Sequence, residues 1–128
     1  MAKKASLRKK KKNVEPEYNA KERFQNVKIL VETKRPKEAI AYIYLVYTDL
    51  IYKKYKKPRE PFQTIREYAI TCVNELNLNP QNTYVFIKQI EDIIYGGVEP
   101  TRKEFESTIG MFSALHKEIT NKGFSFSL

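Results

Sequence analysis

Apolar residues recur at spacings of three and four along most of the chain, which is the pattern of amphipathic helices. The first apolar stripe consists of Phe24, Val27, Leu30 and Val31. It predicts a helix over roughly Glu17 to Thr33, preceded by Pro16 and acidic residues that are typical of a helix start. A second helix should begin at Pro36, because the first turn of a helix has no use for the N–H that proline lacks.

The second predicted helix is apolar over most of its circumference. Its apolar positions are Ala39, Ile40, Tyr42, Ile43, Leu45, Val46, Tyr47, Leu50, Ile51 and Tyr52. A helix that is apolar on nearly every side belongs inside a bundle rather than on its surface. We therefore expect this helix to be the central one. Pro58 and Pro61 should separate it from the next helix.

Three further helices are predicted by their start signals. Thr64 with Glu67 matches the pattern Thr-x-x-Glu, in which both side chains accept hydrogen bonds from backbone N–H groups of the first turn. Thr101 with Glu104 repeats the pattern. Between them, an asparagine followed by Pro80 is typical of another helix start. The predicted helices run from residue 64 to about 77, from 80 to 95, and from 101 to just before residue 123.

Glycines predict where the last two helices end. Gly96 and Gly97 should supply a left-handed residue that closes the fourth helix, and Gly123 should close the fifth. The final residues, 123–128, alternate apolar and polar side chains. They either dock as an extended segment or fray. The predicted fold is thus all-α, a compact bundle of about five short helices over residues 16–122, with a disordered basic arm over residues 1–15.

The positive charge is concentrated in that arm. The chain carries a net charge of +9. Seven of these charges fall within residues 1–12, which contain no acid: Lys3, Lys4, Arg8, Lys9, Lys10, Lys11 and Lys12. The other 116 residues therefore carry only +2. A basic arm on a nearly neutral body suggests that the partner is a polyanion, either nucleic acid or an anionic membrane surface. The alternative is a solvated tail.

A second basic cluster follows the central helix. Cations alternate there with Tyr52 and Tyr55, and we assign them to the same polyanion-binding surface: Lys53, Lys54, Lys56, Lys57 and Arg59. Aromatic rings among cations are typical of surfaces that stack bases and contact phosphates. Basic residues are equally typical of a helix C-terminus, where the helix dipole is negative. The sequence leaves both interpretations open.

No catalytic or metal-binding constellation is predicted. Cys72 is the only cysteine and His116 the only histidine, so neither belongs to a group of ligands at coordinating spacing. Cys72 lies on the apolar face of its helix and should be structural. Glu91 and Asp92 are adjacent, and adjacent side chains on a helix do not face each other. We expect no enzyme activity, no cofactor and no small-molecule substrate.

Arg66 is the residue of the third helix start without an evident structural role. It follows the Thr64 cap and points away from the apolar face. It could pair with Glu60 or with an acid of the fourth helix such as Asp92. If the stretch 61–69 contacts a protein partner, Arg66 is the residue we expect to do so.

Three motifs suggest a family resemblance. They are Pro36-Lys37-Glu38-Ala39-Ile40, Pro61-Phe62-Gln63-Thr64-Ile65-Arg66-Glu67-Tyr68-Ala69, and Ile94-Tyr95-Gly96-Gly97 followed by Pro100-Thr101. In this order they resemble the C-terminal domain of unknown function that follows prokaryotic transglutaminase-like membrane proteins, over roughly residues 36–119. The resemblance implies a small non-catalytic helical domain on the cytoplasmic side of a membrane. The chain departs from that context because its longest apolar run is nine residues.

Together these observations predict a non-enzymatic helical interaction domain. Its body would bind an unidentified protein partner, and its Lys-rich arm would contact a polyanionic surface such as an anionic membrane face. The alternative is an RNA- or DNA-binding accessory protein of a nucleoprotein complex. A single cysteine favours a reducing compartment. The expected location is therefore the cytoplasm, with the inner face of the membrane as one possible site.

Overall fold

The computed structural model describes residues 19–127, which form five helices and no strand. The helices are α1 (Ala20–Glu32), α2 (Pro36–Tyr55), α3 (Ile65–Leu76), α4 (Pro80–Tyr95) and α5 (Arg102–Thr120). The predicted all-α bundle of about five helices is confirmed. The predicted arm, with its seven cations, and the predicted start of the first helix near Glu17 lie outside the described residues.

The second helix is central, as predicted. It packs against α1, α4 and α5, while α3 packs on the outside of α4. Eight of its residues are buried: Ala39, Ile40, Ile43, Tyr44, Val46, Tyr47, Leu50 and Ile51. The ring of Tyr47 also contacts Phe86 on α4, at a centroid distance of 5.3 Å. The core is thus a single cluster built around one helix.

The predicted starts of α2, α3, α4 and α5 are present. In α3, Thr64 Oγ1 accepts from the N–H of Glu67 at 3.0 Å, and Glu67 Oε1 accepts from the N–H of Thr64 at 2.8 Å. Thr101 and Glu104 make the same pair of bonds before α5. Each box satisfies two of the backbone donors that a helix start leaves without partners. Asn79 caps α4 through its side chain.

The predicted end of α4 at Tyr95 is confirmed, but the prediction that left-handed glycines close the last two helices was wrong. No glycine among the described residues has a positive φ, and Gly96 has φ −75°. Gly96 is required for a different reason, since a Cβ there would lie 2.5 Å from the carbonyl oxygen of Asp92. The left-handed residues are Lys34, Lys56, Asn77 and Asn121. Asparagine tolerates this conformation well, so it takes the place of glycine at two of these positions.

The C-terminal segment docks on the body rather than fraying. Phe124 and Phe126 both pack against Phe24 of α1, with ring centroids 4.9 Å and 5.3 Å away. Phe124 also lies 5.2 Å from Phe112 of α5. The alternation of apolar and polar residues therefore places both phenylalanines on the side that faces the bundle.

Candidate polyanion-binding surface

The last turn of α2 presents two lysines to solvent. Lys53 and Lys54 are exposed and close to the C-terminal end of the helix. Within residues 19–127 neither makes an ion pair. Their ammonium groups interact favourably with the negative end of the helix dipole, and both remain accessible to an external anion.

Lys56 and Tyr52 extend this surface. Lys56 is the left-handed residue that ends α2, with φ 58°. Its Nζ lies 5.6 Å from the centre of the Tyr52 ring, within cation–π distance. The Tyr52 side chain is 47% exposed. The end of α2 thus combines an accessible aromatic ring with three exposed lysines, Lys53, Lys54 and Lys56.

The other two predicted cations turn toward the protein. Lys57 Nζ lies 2.7 Å from Glu75 Oε1, and this hydrogen bond raises the pKa of the lysine. Arg59 is exposed, but its Nη1 donates to the backbone carbonyl of Gln63 at 2.6 Å. Lys57 thus ties the connection between α2 and α3 to the last turn of α3, and Arg59 ties it to the residue before the Thr64 cap. Within the predicted cluster of five, Lys57 and Arg59 thus bond to the protein itself, although Arg59 remains exposed.

An open cleft of about 470 Å³ lies between α2 and this connection. It is lined by Thr48, Asp49, Tyr52, Pro58 and Arg59. The negative charge of Asp49 is compensated in the cleft, because Nη1 of Arg23 in α1 lies 2.8 Å from its carboxylate. The cleft therefore has one exposed tyrosine ring and one arginine as its functional groups.

The pair formed by Arg23 and Asp49 also places the start of α1 beside the end of α2. Arg23 Nε donates to the hydroxyl of Tyr42 at 2.9 Å, a second bond between the two helices. The described chain thus begins, at Asn19, at the end of the bundle that carries Lys53 and Lys54. Residue 12, the last cation of the arm, is seven residues from Asn19. A chain of that length spans at most about 25 Å.

Arg66 forms an ion pair between two helices. Its Nη2 lies 2.6 Å from Glu91 Oε1, so the ion pair joins α3 to α4. Of the two expected partners, an acid of the fourth helix is confirmed, but it is Glu91 and not Asp92, which pairs with Lys88 at 3.2 Å. The hydrogen bond with Glu91 raises the pKa of Arg66. Its side chain is still 49% exposed, and the predicted partner contact stays a prediction.

Cys72 and His116 are both buried. Burial raises the pKa of the Cys72 thiol, which lies against the hydroxyls of Tyr68 and Tyr47. A thiol in such surroundings behaves as a small apolar group. His116 is 8% exposed, and its Nδ1 lies 2.9 Å from the carbonyl oxygen of Lys122. Among residues 19–127, no three His, Cys, Asp or Glu side chains are arranged to hold a metal ion.

Glu118 is a key polar residue that sequence reasoning missed. Its carboxylate accepts from the backbone N–H of Asn79 at 2.6 Å and from Asn82 Nδ2 at 3.2 Å. An acid at the positive end of a helix dipole is favourable, so Glu118 of α5 stabilises the start of α4. Its partner is 39 positions away, and no local pattern signals such a pair.

Comparison of the chain with protein-family models, curated proteins and solved structures found no match. The resemblance to the domain that follows transglutaminase-like membrane proteins therefore stays a prediction. None of the five described helices is sufficiently long and apolar to cross a bilayer.

Proposed function

We propose that the protein is a non-enzymatic helical interaction domain that docks on an anionic membrane surface through one basic end. The observation that carries the proposal is the bond between Arg23 and Asp49, which brings the start of α1 to the end of α2. The cations of residues 1–12 and the exposed Lys53, Lys54 and Lys56 then act at the same end of the bundle.

The predominance of lysine favours binding to an extended anionic surface over binding of a single phosphate group. The arm contains six lysines and one arginine, and the exposed cations at the end of α2 are all lysines. Lysine is a compact point charge on a flexible stem, whereas arginine is preferred where a phosphate is held by two parallel hydrogen bonds. Clusters of this size bind anionic lipid headgroups by summed attraction, about 1 kcal/mol for each basic residue near the surface.

Co-sedimentation with vesicles tests the proposal. The vesicles contain phosphatidylserine and phosphatidylcholine, with pure phosphatidylcholine as the neutral control. Deletion of residues 1–12 should abolish most of the binding. The variant K53Q/K54Q should bind about 30-fold more weakly, since two charges contribute about 2 kcal/mol.

The matched control is K34N/K103Q, which removes the same charge elsewhere. Lys34 lies just before the start of α2, and a helix of 20 residues is about 30 Å long. Lys103 lies in the first turn of α5, just after the loop that contains Gly96. Lys37, in the first turn of α2, donates to the carbonyl of Gly96, so this loop lies near the start of α2. This control should bind like the unaltered protein. Equal binding by the full chain and the shortened chain would refute the proposal.

Single-stranded nucleic acid is a second candidate, and the exposed ring of Tyr52 favours it. The ring lies beside Lys56 and lines the cleft that contains Arg59. Stacking of a base on such a ring is worth about 1–3 kcal/mol.

Fluorescence anisotropy with a labelled 15-nucleotide uridine RNA tests this candidate. Y52A should then weaken binding at least fivefold, Y52F should not, and affinity should fall steeply with salt. The membrane proposal predicts that Y52A leaves vesicle binding unchanged. An RNA affinity that is equal for Y52A and the unaltered protein would exclude the stacking site.

A further inference from the structure

The groove between α1 and α5 is filled by the chain's own C-terminal segment. Its floor is formed by Phe24, Phe112 and His116, whose rings surround Phe124 at centroid distances of 4.9, 5.2 and 5.3 Å. Phe126 makes one further contact with Phe24. Contacts between tilted and edge-on rings at these distances stabilise a complex beyond the burial of apolar area.

The segment is fixed at its base and held only by side chains beyond it. Asn121 donates to the carbonyl of Lys117 at 2.8 Å, and the carbonyl of Lys122 lies 2.9 Å from His116 Nδ1. Within the described part of the chain, no backbone hydrogen bond joins residues 123–127 to the helices. The phenylalanines can therefore leave the groove without breaking any backbone hydrogen bond.

The segment also identifies what the groove accepts. Ser125 and Ser127 alternate with the phenylalanines and remain exposed. Only every second side chain of the segment therefore contacts the groove. Lys21 and Lys28 of α1 line an open cleft along the outer side of the segment. The groove thus accommodates an extended segment with aromatic side chains at alternate positions.

We propose that this groove is a binding site for extended peptide segments of the form Phe-x-Phe, and that residues 123–127 occupy it as an internal competitor. A tethered segment acts at an effective concentration in the millimolar range. A partner peptide therefore binds weakly while Phe124 and Phe126 are in place and more tightly once they are displaced.

The test uses the full-length chain and a fluorescein-labelled peptide that corresponds to residues 121–128. The variant F124A/F126A removes the internal competitor and leaves the groove intact. By fluorescence anisotropy it should bind the peptide at least tenfold more tightly than the unaltered protein does. A peptide with both phenylalanines replaced by alanine is the matched control and should not bind. Equal binding by the two proteins, or binding of the control peptide, would overturn the proposal.

A second measurement covers the case in which the double variant does not fold. The chain contains no tryptophan, so F126W introduces a single fluorophore into the groove. Excess unlabelled peptide should shift the emission of F126W to longer wavelength as the tryptophan moves into water. An emission spectrum that is unchanged by millimolar peptide would refute the proposal. Dimers that form with increasing protein concentration and require Phe124 and Phe126 would show that a second copy supplies the peptide, which supports the site.

Discussion

Arg66 of α3 and Glu91 of α4 form the ion pair that joins the outermost helix to the bundle, with Nη2 and Oε1 2.6 Å apart. Because α3 packs mainly on α4, this bond lies within the main contact of α3 with the bundle. The pair is partly exposed, so its contribution to stability is screened by solvent.

We predict that R66A and E91A lower the midpoint of urea unfolding by similar small amounts. The double variant should lose no more than either single one, because each substitution breaks the same bond. Circular dichroism at 222 nm measures the midpoint. The charge-swapped variant R66E/E91R should restore most of it. R102A breaks a pair within α5 and serves as a comparison with a smaller effect. Additive losses in the double variant would contradict the pairing.

The two neighbouring glycines should respond differently to the same substitution. G96A places a Cβ 2.5 Å from the carbonyl of Asp92, so the backbone must shift, and we expect a loss of about 1–3 kcal/mol in the free energy of unfolding. G97A meets no atom within 4 Å and has no positive φ to oppose it. Its effect should stay within about 0.5 kcal/mol. Urea unfolding compares the two, and equal effects would contradict the steric explanation.

Two buried tyrosines differ in whether their hydroxyls are satisfied. The hydroxyl of Tyr68 donates to the carbonyl of Lys57 at 2.7 Å, while that of Tyr44 is buried without a partner among the described residues. Y68F should therefore cost about 0.5–1.5 kcal/mol of stability. Y44F should cost nothing or stabilise slightly, because it removes an unsatisfied polar group. Thermal unfolding ranks the variants, and the reverse order would contradict these assignments.

Alkaline pH should unfold the protein through its buried phenols. Burial raises the pKa of Tyr44, Tyr47 and Tyr68 above the ordinary value of 10.0. The unfolded chain releases these protons near pH 10 while the folded chain keeps them. The free energy of unfolding is therefore unaffected by these phenols below pH 10, and it falls as the pH rises above 10.

Absorbance at 295 nm follows this ionisation. The exposed tyrosines should titrate first, and the three buried ones should titrate together with the loss of helical signal. The variant Y44F/Y68F should reduce the amplitude of the second phase. Ionisation of all tyrosines in a single phase with the helices intact would contradict the prediction.

Local interactions were the predictable part of this structure. Thr64 and Glu67 are three residues apart, and the whole capping box lies within one turn, so the pattern alone reveals it. The central position of α2 was equally predictable, because a helix that is buried on most sides has apolar residues at most of its positions. Leu78 is buried, but this was not predicted. It lies in a three-residue connection, which is too short to show a periodic spacing of apolar residues.

Nonlocal interactions could not be predicted in this way. Glu118 bonds a residue 39 positions away. An acid of the fourth helix was expected to pair with Arg66, but the sequence did not show that it is Glu91, 25 positions away. Lys57 carries the same charge as Lys53 and Lys54, yet it bonds to Glu75 because the last turn of α3 lies within its reach. The packing of α3 therefore determines which lysines remain available to a ligand. The charge pattern of the sequence does not predict this.

The central position of α2 sets the order in which the protein can assemble during synthesis. Its buried face is covered by α4 and α5 as well as by α1, and α5 ends at Thr120. As the chain leaves the ribosome, α1 and α2 emerge tens of residues before α4 and α5. The apolar surface of α2 therefore stays open to chaperones until α5 has been made, and only then does the core close.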